Sequence, residues 1–208
     1  MHSSIGPLEE ARLLYIEQSE LSRRIADGGE PLVIYDVGLG LAANALGALE
    51  CAKGAGRSLQ VISFENDLDG IRYALTQTDA FPFLQNWKSA IEELLERGIW
   101  KSENLEWQVL EGDFLKLDLS KLPEPEMIFF DFYSPKVHPQ LWGVDCFRKL
   151  FLKTEKRRAQ KLRTDLYTYS SSRVARESLA QAGFQVGEGK PTSIKRNTTH
   201  AWTDGRSF

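Results

Sequence analysis

The stretch YDVGLGLAAN, Tyr35 to Asn44, follows the apolar run PLVIY and precedes a helical pattern from about Leu41 to Ala52, so it reads as strand, turn and helix start. In such a unit Gly38 and Gly40 let the backbone come close to a ligand, while the helix amino terminus attracts charged or polar groups. The G-x-G-x-x-A pattern alone suits a nicotinamide-binding enzyme, another nucleotide-like ligand or a simple tight turn. Asp36, outside that pattern, discriminates. An acid at the end of the first strand points at the place where a dinucleotide puts its pyrophosphate, where repulsion is unfavourable. The same acid suits a cationic ligand: it can bind the amino group of a methionine moiety directly or through water, and a sulfonium charge adds to the attraction. Asp36 therefore favours S-adenosylmethionine over nicotinamide.

Working outward, short apolar β-rich runs alternate with helical patterns, the signature of a parallel sheet covered on both faces. Pro7 to Ile25 has the spacing of a first helix, ended by Gly28-Gly29. LQVISFE is a second strand, followed by a helix beginning near Asp67 and a longer one from Phe83 to Arg97 that Gly98 ends. LEWQVLEGD, EMIFFDF and DLYTYS supply three more strands. Ser171 or Ser172 can cap the helix RVARESLAQA, with Gly183 at its end. FQVGEG and TSIKRNTTHAW form a closing pair.

Acids recur at the strand ends. Glu65 closes the second strand, where its carboxylate can accept both hydroxyl hydrogens of a ribose. Asp113, after the third, can accept from an adenine amine with Phe114 against the ring, or act as a turn residue. Asp131 ends the fourth strand, and Ser134-Pro135 and Pro139 then force an extended path that holds it open at the sheet edge. Trp142 suits a lid packed on the core. Ligands bind at that edge of open α/β sheets, so acids on successive strands point to one site.

A chain of 208 residues with 42% apolar content can bury one substantial core. We expect one domain over residues 1–208: a helical segment over 1–30 and a Rossmann-like core over 31–208. No repeat or low-complexity linker divides it. Cys51 and Cys146 lack C-x-x-C spacing, no signal peptide is evident and no apolar run approaches bilayer length, so a reduced cytoplasmic protein is expected, with no membrane insertion. His2, His138 and His200 are scattered and suggest no metal site. The net charge is -3, but Arg148 to Arg163 carries eight basic residues against one acid, Glu155. That run suits a solvated helix face or a polyanion-binding one.

The ordered set DVGLGLAANALGAL, SFEND, EGDF, DFYSPKVHPQLW, TYSSSRVARESLAQAGFQV and IKR resembles the methyltransferase module of the MnmC family, from about His2 to Trp202. The resemblance implies a class I methyltransferase fold: α/β, Rossmann-like, with a seven-stranded mostly parallel sheet, its last strand antiparallel, and helices on both faces. It implies S-adenosylmethionine as cofactor and, as acceptor, the aminomethyl group of a modified wobble uridine in tRNA, giving 5-methylaminomethyl(-2-thio)uridine. Cofactor contacts would come from Asp36, Gly38, Gly40, Asn44, Glu65, Asn66, Asp113 and Phe114, with Asp131 the catalytic residue nearest the amine. Ser134, Pro135, Lys136, Trp142, Tyr169, Lys195 and Arg196 match positions on the substrate side. The chain departs from the pattern in DFYSP, where DAFSP is expected, and in the basic run, which with Lys195-Arg196 would meet tRNA phosphates. Family modules commonly carry residues ahead of the stretch matching MHSSIGPLEEA, so Met1 is expected to fall inside the usual pattern. A chain of this length leaves no room for the family's flavin oxidoreductase module, so a separate enzyme would supply the aminomethyl uridine. The alternatives are a class I methyltransferase acting on another amine or small molecule, a non-catalytic homologue that binds the cofactor, and a nicotinamide oxidoreductase.

Overall fold

The computed structural model describes residues 6–204; Met1 and His2 lie outside the described residues. Along the chain, α1 (Pro7–Ala11) and α2 (Leu21–Arg24) precede β1 (Leu32–Val37), α3 (Ala43–Ala52), β2 (Leu59–Glu65), α4 (Asp69–Thr76), α5 (Lys88–Arg97), β3 (Ile99–Ser102) and β4 (Leu105–Glu111). Then follow β5 (Met127–Phe130), α6 (Val144–Leu152), α7 (Glu155–Ala159), β6 (Asp165–Thr168), α8 (Arg173–Ala182), β7 (Gln185–Glu188) and β8 (Thr199–Trp202).

The strands form one sheet in the order β3-β4-β2-β1-β5-β6-β8-β7. β4, β2, β1, β5 and β6 are parallel, and β8 runs antiparallel between β6 and β7. This is the expected class I arrangement with one strand more. The additional β3 pairs antiparallel with β4, Ile99 opposite Gln108. Gly98, at φ 75°, ends α5 and reverses the chain, and Trp100 packs edge-on against Trp87 at 5.7 Å. The segment is too short to carry a strand pattern of its own.

Every residue of β1 is buried, as expected of a central parallel strand. Its side chains alternate between layers: Leu32 and Ile34 join a core with α3, α4 and α5, whereas Val33, Tyr35 and Val37 join one with α6 and α8. Helices therefore cover both faces.

Two expected elements are broken. Pro7 to Ile25 is not one helix: α1 passes into a π-type turn over Arg12–Ile16, and Glu20 at φ 53° interrupts the chain before α2. An unbroken helix would point Tyr15 and Leu21 to different faces, yet both are buried, and the break resets the phase. The segment before α5 is a 3-10 helix, Pro82–Trp87. Ile194, Lys195 and Arg196 fall in a loop and not in the last strand, because Lys195 N donates to Thr192 Oγ1 at 3.0 Å in a local turn. Ser172 is the cap of α8, accepting from Ala175 N, and Gly183 closes that helix at φ 116°.

Candidate active site

From β1 the chain steps to β2 on one side, while β5 lies on the other, so a crevice opens at the carboxyl ends of β1 and β5. The turn after β1 is anchored by Gly38 N and Leu39 N donating to Phe64 O at 3.0 and 3.2 Å. The chain leaving β5 is fixed by Asp131 N on Val37 O at 2.8 Å. Gly38 sits at φ 99°, and a Cβ there would lie 2.8 Å from the Asp131 carbonyl oxygen. Its lack of a side chain lets the two turns touch. Gly40, at φ 52°, has nothing within 4 Å of a Cβ and faces open space.

Two adjoining cavities occupy the crevice, of about 450 Å³ and about 500 Å³. Gly40, Leu41, Glu65, Phe132 and Tyr133 line both. The first is also walled by Gly38, Asn44, Asp131, Ser134 and Tyr169, and by Pro7, Glu10, Ala11, Leu14 and Tyr15 from the amino-terminal helices. The second adds Asn66, Asp113, Phe114, His138 and Gln140 among others. Tyr15 was not legible as a site residue, because an aromatic at helical spacing reads as core; only the π-type turn brings it to the crevice.

Asp131 accepts from Asn44 Nδ2 at 2.7 Å through Oδ2. Burial pushes its carboxyl up to about 6, with hydrogen bonds from Asn44 and Tyr15 holding it lower than burial alone would. Asn44 thus meets Asp131 across the crevice. Glu65 accepts from Gly40 N at 3.0 Å and from Asn66 N at 2.8 Å, which orients its carboxylate between the cavities.

Asp36 is fully buried and lines neither cavity. Its Oδ2 accepts from Ser63 Oγ at 2.8 Å, and Ser63 Oγ accepts from Trp107 Nε1 at 2.9 Å. Its Oδ1 is buried with no hydrogen-bond partner among the described residues. Burial raises Asp36 to about 8, against the lowering effect of Ser63 and with the charges of Asp131 and Glu65 adding to the rise. A direct contact of Asp36 with a ligand in either cavity is therefore closed in this structure.

Asp113 is held below the ordinary carboxylate range by Lys116, at 3.2 Å, and by Leu115 N, at 3.0 Å. Phe114 is 2% exposed and packs edge-on to Phe64 and Phe132, so it borders the second cavity from within the core.

The substrate-side expectations divide. Ser134 and Tyr169 line the first cavity, and Lys195 Nζ lies 4.4 Å from the Tyr169 ring centroid. Pro135, Lys136 and Arg196 line neither cavity. Of the two expectations for Trp142, the structure has the lid packed on the core and not the substrate-side position that the resemblance implied: it is 0% exposed, packs on Phe130 at 5.0 Å and donates Nε1–H to Tyr133 O at 2.7 Å. It holds the turn and lines neither cavity.

The basic run is also corrected as a single polyanion surface. Lys149 Nζ donates to the carbonyls of Leu115 and Leu117, and Lys153 Nζ to that of Leu122. Arg157 pairs with Glu126 at 3.7 Å and Arg163 with Asp165 at 2.6 Å. Glu126 and Asp165 stand at the amino-terminal ends of β5 and β6, the edge opposite Asp131. Lys149 and Lys153 thus tie α6 and its end to the loop between β4 and β5, Arg157 and Arg163 pair with acids at the starts of β5 and β6, and the later half of the run lies away from the crevice.

Residues 77–204 match the model of a family described as S-adenosyl-L-methionine-dependent methyltransferase. The chain is 28% identical over 97% of its length to the tRNA 5-methylaminomethyl-2-thiouridine biosynthesis bifunctional protein MnmC of Pseudomonas syringae pv. syringae, covering 32% of that protein. It is likewise 28% identical over 97% of its length to an uncharacterized protein of Methanocaldococcus jannaschii, covering 53% of it. Among solved structures it resembles MnmC2 from Aquifex aeolicus, with a TM-score of 0.68 and 26% identity, covering 96% of this chain and 62% of that one. The chain thus spans about a third of the length of the bifunctional relatives it matches.

Proposed function

The chain belongs to the S-adenosyl-L-methionine-dependent methyltransferase family, and from that premise we propose that it methylates the aminomethyl group of a modified wobble uridine in tRNA. One observation carries the reading: Asp131, fixed by Asn44, lines a cavity continuous with the Gly40–Glu65 cradle, so a carboxylate suited to an amine adjoins a site suited to the cofactor. The acceptor follows from the bifunctional relatives, which are named for tRNA 5-methylaminomethyl-2-thiouridine biosynthesis.

The donor set suits S-adenosylmethionine. The open Gly40 position, with the Glu65 carboxylate beside it at the junction of the two cavities, is a feature a nucleoside-bearing ligand would complete. Glu65 would take the ribose hydroxyls, Gly38 and Gly40 the backbone approach, and Asn66, Asp113 and Phe114 the adenine end. The cofactor contact expected of Asp36 is not made from this position, since its carboxyl is enclosed and borders neither cavity. When bound, the cofactor supplies a methyl group on a sulfonium, already a good leaving group, so alignment is the larger part of catalysis.

Asp131 meets the acceptor. A primary amine attacks only when neutral, and a carboxylate beside it accepts its N–H, aims its lone pair and stabilises the positive charge that grows on nitrogen. Asn44 fixes the plane of that carboxylate through Oδ2. Ser134 and Tyr169 line the acceptor side, with Lys195 beside Tyr169.

The test is to incubate the protein with labelled S-adenosylmethionine and tRNA carrying aminomethyluridine, then digest it and identify the labelled nucleoside. We expect 5-methylaminomethyluridine from the wild type and a loss of about 100-fold or more in turnover for Asp131→Ala, with cofactor affinity within a few-fold. A folded, cofactor-binding preparation that labels no tRNA overturns the proposal.

A further inference from the structure

The turn leaving β5 holds out one large aromatic ring for which the roles above give no use. Tyr133 is 72% exposed, yet it borders both cavities. Leaving such a ring in water forgoes the stabilisation its burial would bring. Its backbone, by contrast, is held firmly. Trp142 Nε1 donates to Tyr133 O at 2.7 Å, and the Tyr169 hydroxyl donates to the carbonyl of Phe132 at 3.1 Å. On the other side, the Ser134 carbonyl accepts from Val137 N at 2.8 Å and His138 N at 3.2 Å. A ring carried on a pinned backbone loses little freedom when a partner covers it, the property that makes tyrosine effective in recognition surfaces.

We propose that Tyr133 is the stacking platform for the planar base of the acceptor and therefore a specificity-determining residue, an inference that rests on the tRNA reading above. The ring of His138 lies 5.9 Å away, tilted by 52°, so it flanks Tyr133 without lying parallel to its face. Asp131 and Tyr133 line the same cavity two positions apart in the chain. One short turn thus carries both the side chain that would hold a flat ring and the carboxylate that would meet its amine. Every nucleobase has a π-face, and an aromatic side chain binds it without reading the hydrogen-bonding edge. Selection of an aminomethyl group would then fall to Asp131, with Tyr133 selecting for a ring over an aliphatic amine. Stacking uses the face of the ring and not the hydroxyl, so phenylalanine and tryptophan should substitute for it.

The experiment compares wild type with Tyr133→Ala, Tyr133→Phe and Tyr133→Trp. It measures calorimetric binding of an anticodon stem-loop bearing aminomethyluridine in the absence of cofactor, cofactor binding alone, and kcat and KM for methyl transfer to the stem-loop. For Tyr133→Ala we expect stem-loop Kd and KM to rise about 10-fold or more, with cofactor affinity unchanged within about 3-fold, and for the aromatic variants near-wild-type values. Because the side chain is exposed, an unfolding midpoint equal to wild type should accompany the loss. Wild-type stem-loop binding by Tyr133→Ala overturns the platform and leaves the tRNA reading standing. Loss of cofactor binding in its place also overturns the platform and assigns the ring to the cofactor's adenine. A wild-type protein that binds cofactor but neither binds nor methylates the stem-loop overturns both.

Discussion

Asp131 and Asp36 are carboxylates at the same edge of the sheet, and their surroundings separate them. Asp131 has Asn44 on one oxygen and a cavity beside it, and burial raises it only to about 6, so it is ionised at neutral pH. The N–H of Asn44 favours the ionised form. Removing it in Asn44→Ala should raise the Asp131 pKa further, so the midpoint of Asp131 in a carboxyl-resolved NMR titration of the free protein, near pH 6 in wild type, should move to higher pH. An unmoved midpoint would mean that Asn44 does not act through Asp131. Asp36 has one orphaned oxygen, no cavity and a pKa near 8, so at pH 7 it is largely the neutral acid. Between the ordinary carboxylate value near 4 and about 8, the native state holds a proton that the unfolded chain releases, so stability must fall as pH rises through that window. Asp36→Asn keeps the shape and removes the titration. Urea unfolding from roughly pH 5 to 8 should show a wild-type decline steeper than the variant's by up to about 1.4 kcal/mol per pH unit. Superimposable slopes would show that Asp36 ionises freely.

The strand-to-helix turn and the turn after β5 work as a pair because glycine occupies two positions for different reasons. Gly38 has the Asp131 carbonyl 2.8 Å from where a Cβ would stand, and Gly40 has empty space there. Both have positive φ, so alanine at either is strained by about 1–2 kcal/mol. Gly38→Ala must also push the β5 turn away, and it should lower the unfolding free energy by more than Gly40→Ala and take turnover with it. Gly40→Ala projects a methyl into the crevice and should weaken cofactor binding out of proportion to its effect on stability. Equal stability losses with equal cofactor affinities would contradict this division. The glycines and the acids at strand ends were legible because each is a local event: an apolar run ends, and a polar or flexible residue follows. The break in the first helix was not legible, since it answers to the phase at which Tyr15 and Leu21 meet the core.

Across the molecule, the parallel order of β4, β2, β1, β5 and β6 sends their carboxyl ends to the same edge, and that edge gathers Gly38, Glu65, Asp113 and Asp131 around one crevice. It also separates the basic residues into two groups. Lys195 lies by Tyr169 at the crevice and Arg196 follows it on the exposed loop, while the exposed Lys156 and Lys161 belong to the segment that leads to the amino-terminal end of β6. If tRNA approaches the crevice, the double variant Lys195→Gln, Arg196→Gln should weaken tRNA binding and reduce its logarithmic salt slope by about 1–2. Lys156→Gln with Lys161→Gln should leave both unchanged; the reverse pattern would move the tRNA to the other side of the protein.

The amino-acid order by itself determined the alternation of strands and helices, the capped α8 and the row of acids at strand ends, because these depend on neighbours a few positions apart. It also carried the family resemblance in DFYSPKVHPQLW and its companions. Only the tertiary structure decided that Asp36 is sealed beneath the loop, that Asn44 serves Asp131, and that several side chains of the basic run are engaged by the β4–β5 loop and by acids at the starts of β5 and β6. Each of those outcomes depends on what a side chain meets after distant segments close on it, and the free energy of a buried carboxyl, ring or guanidinium is set by those partners and not by its place in the chain.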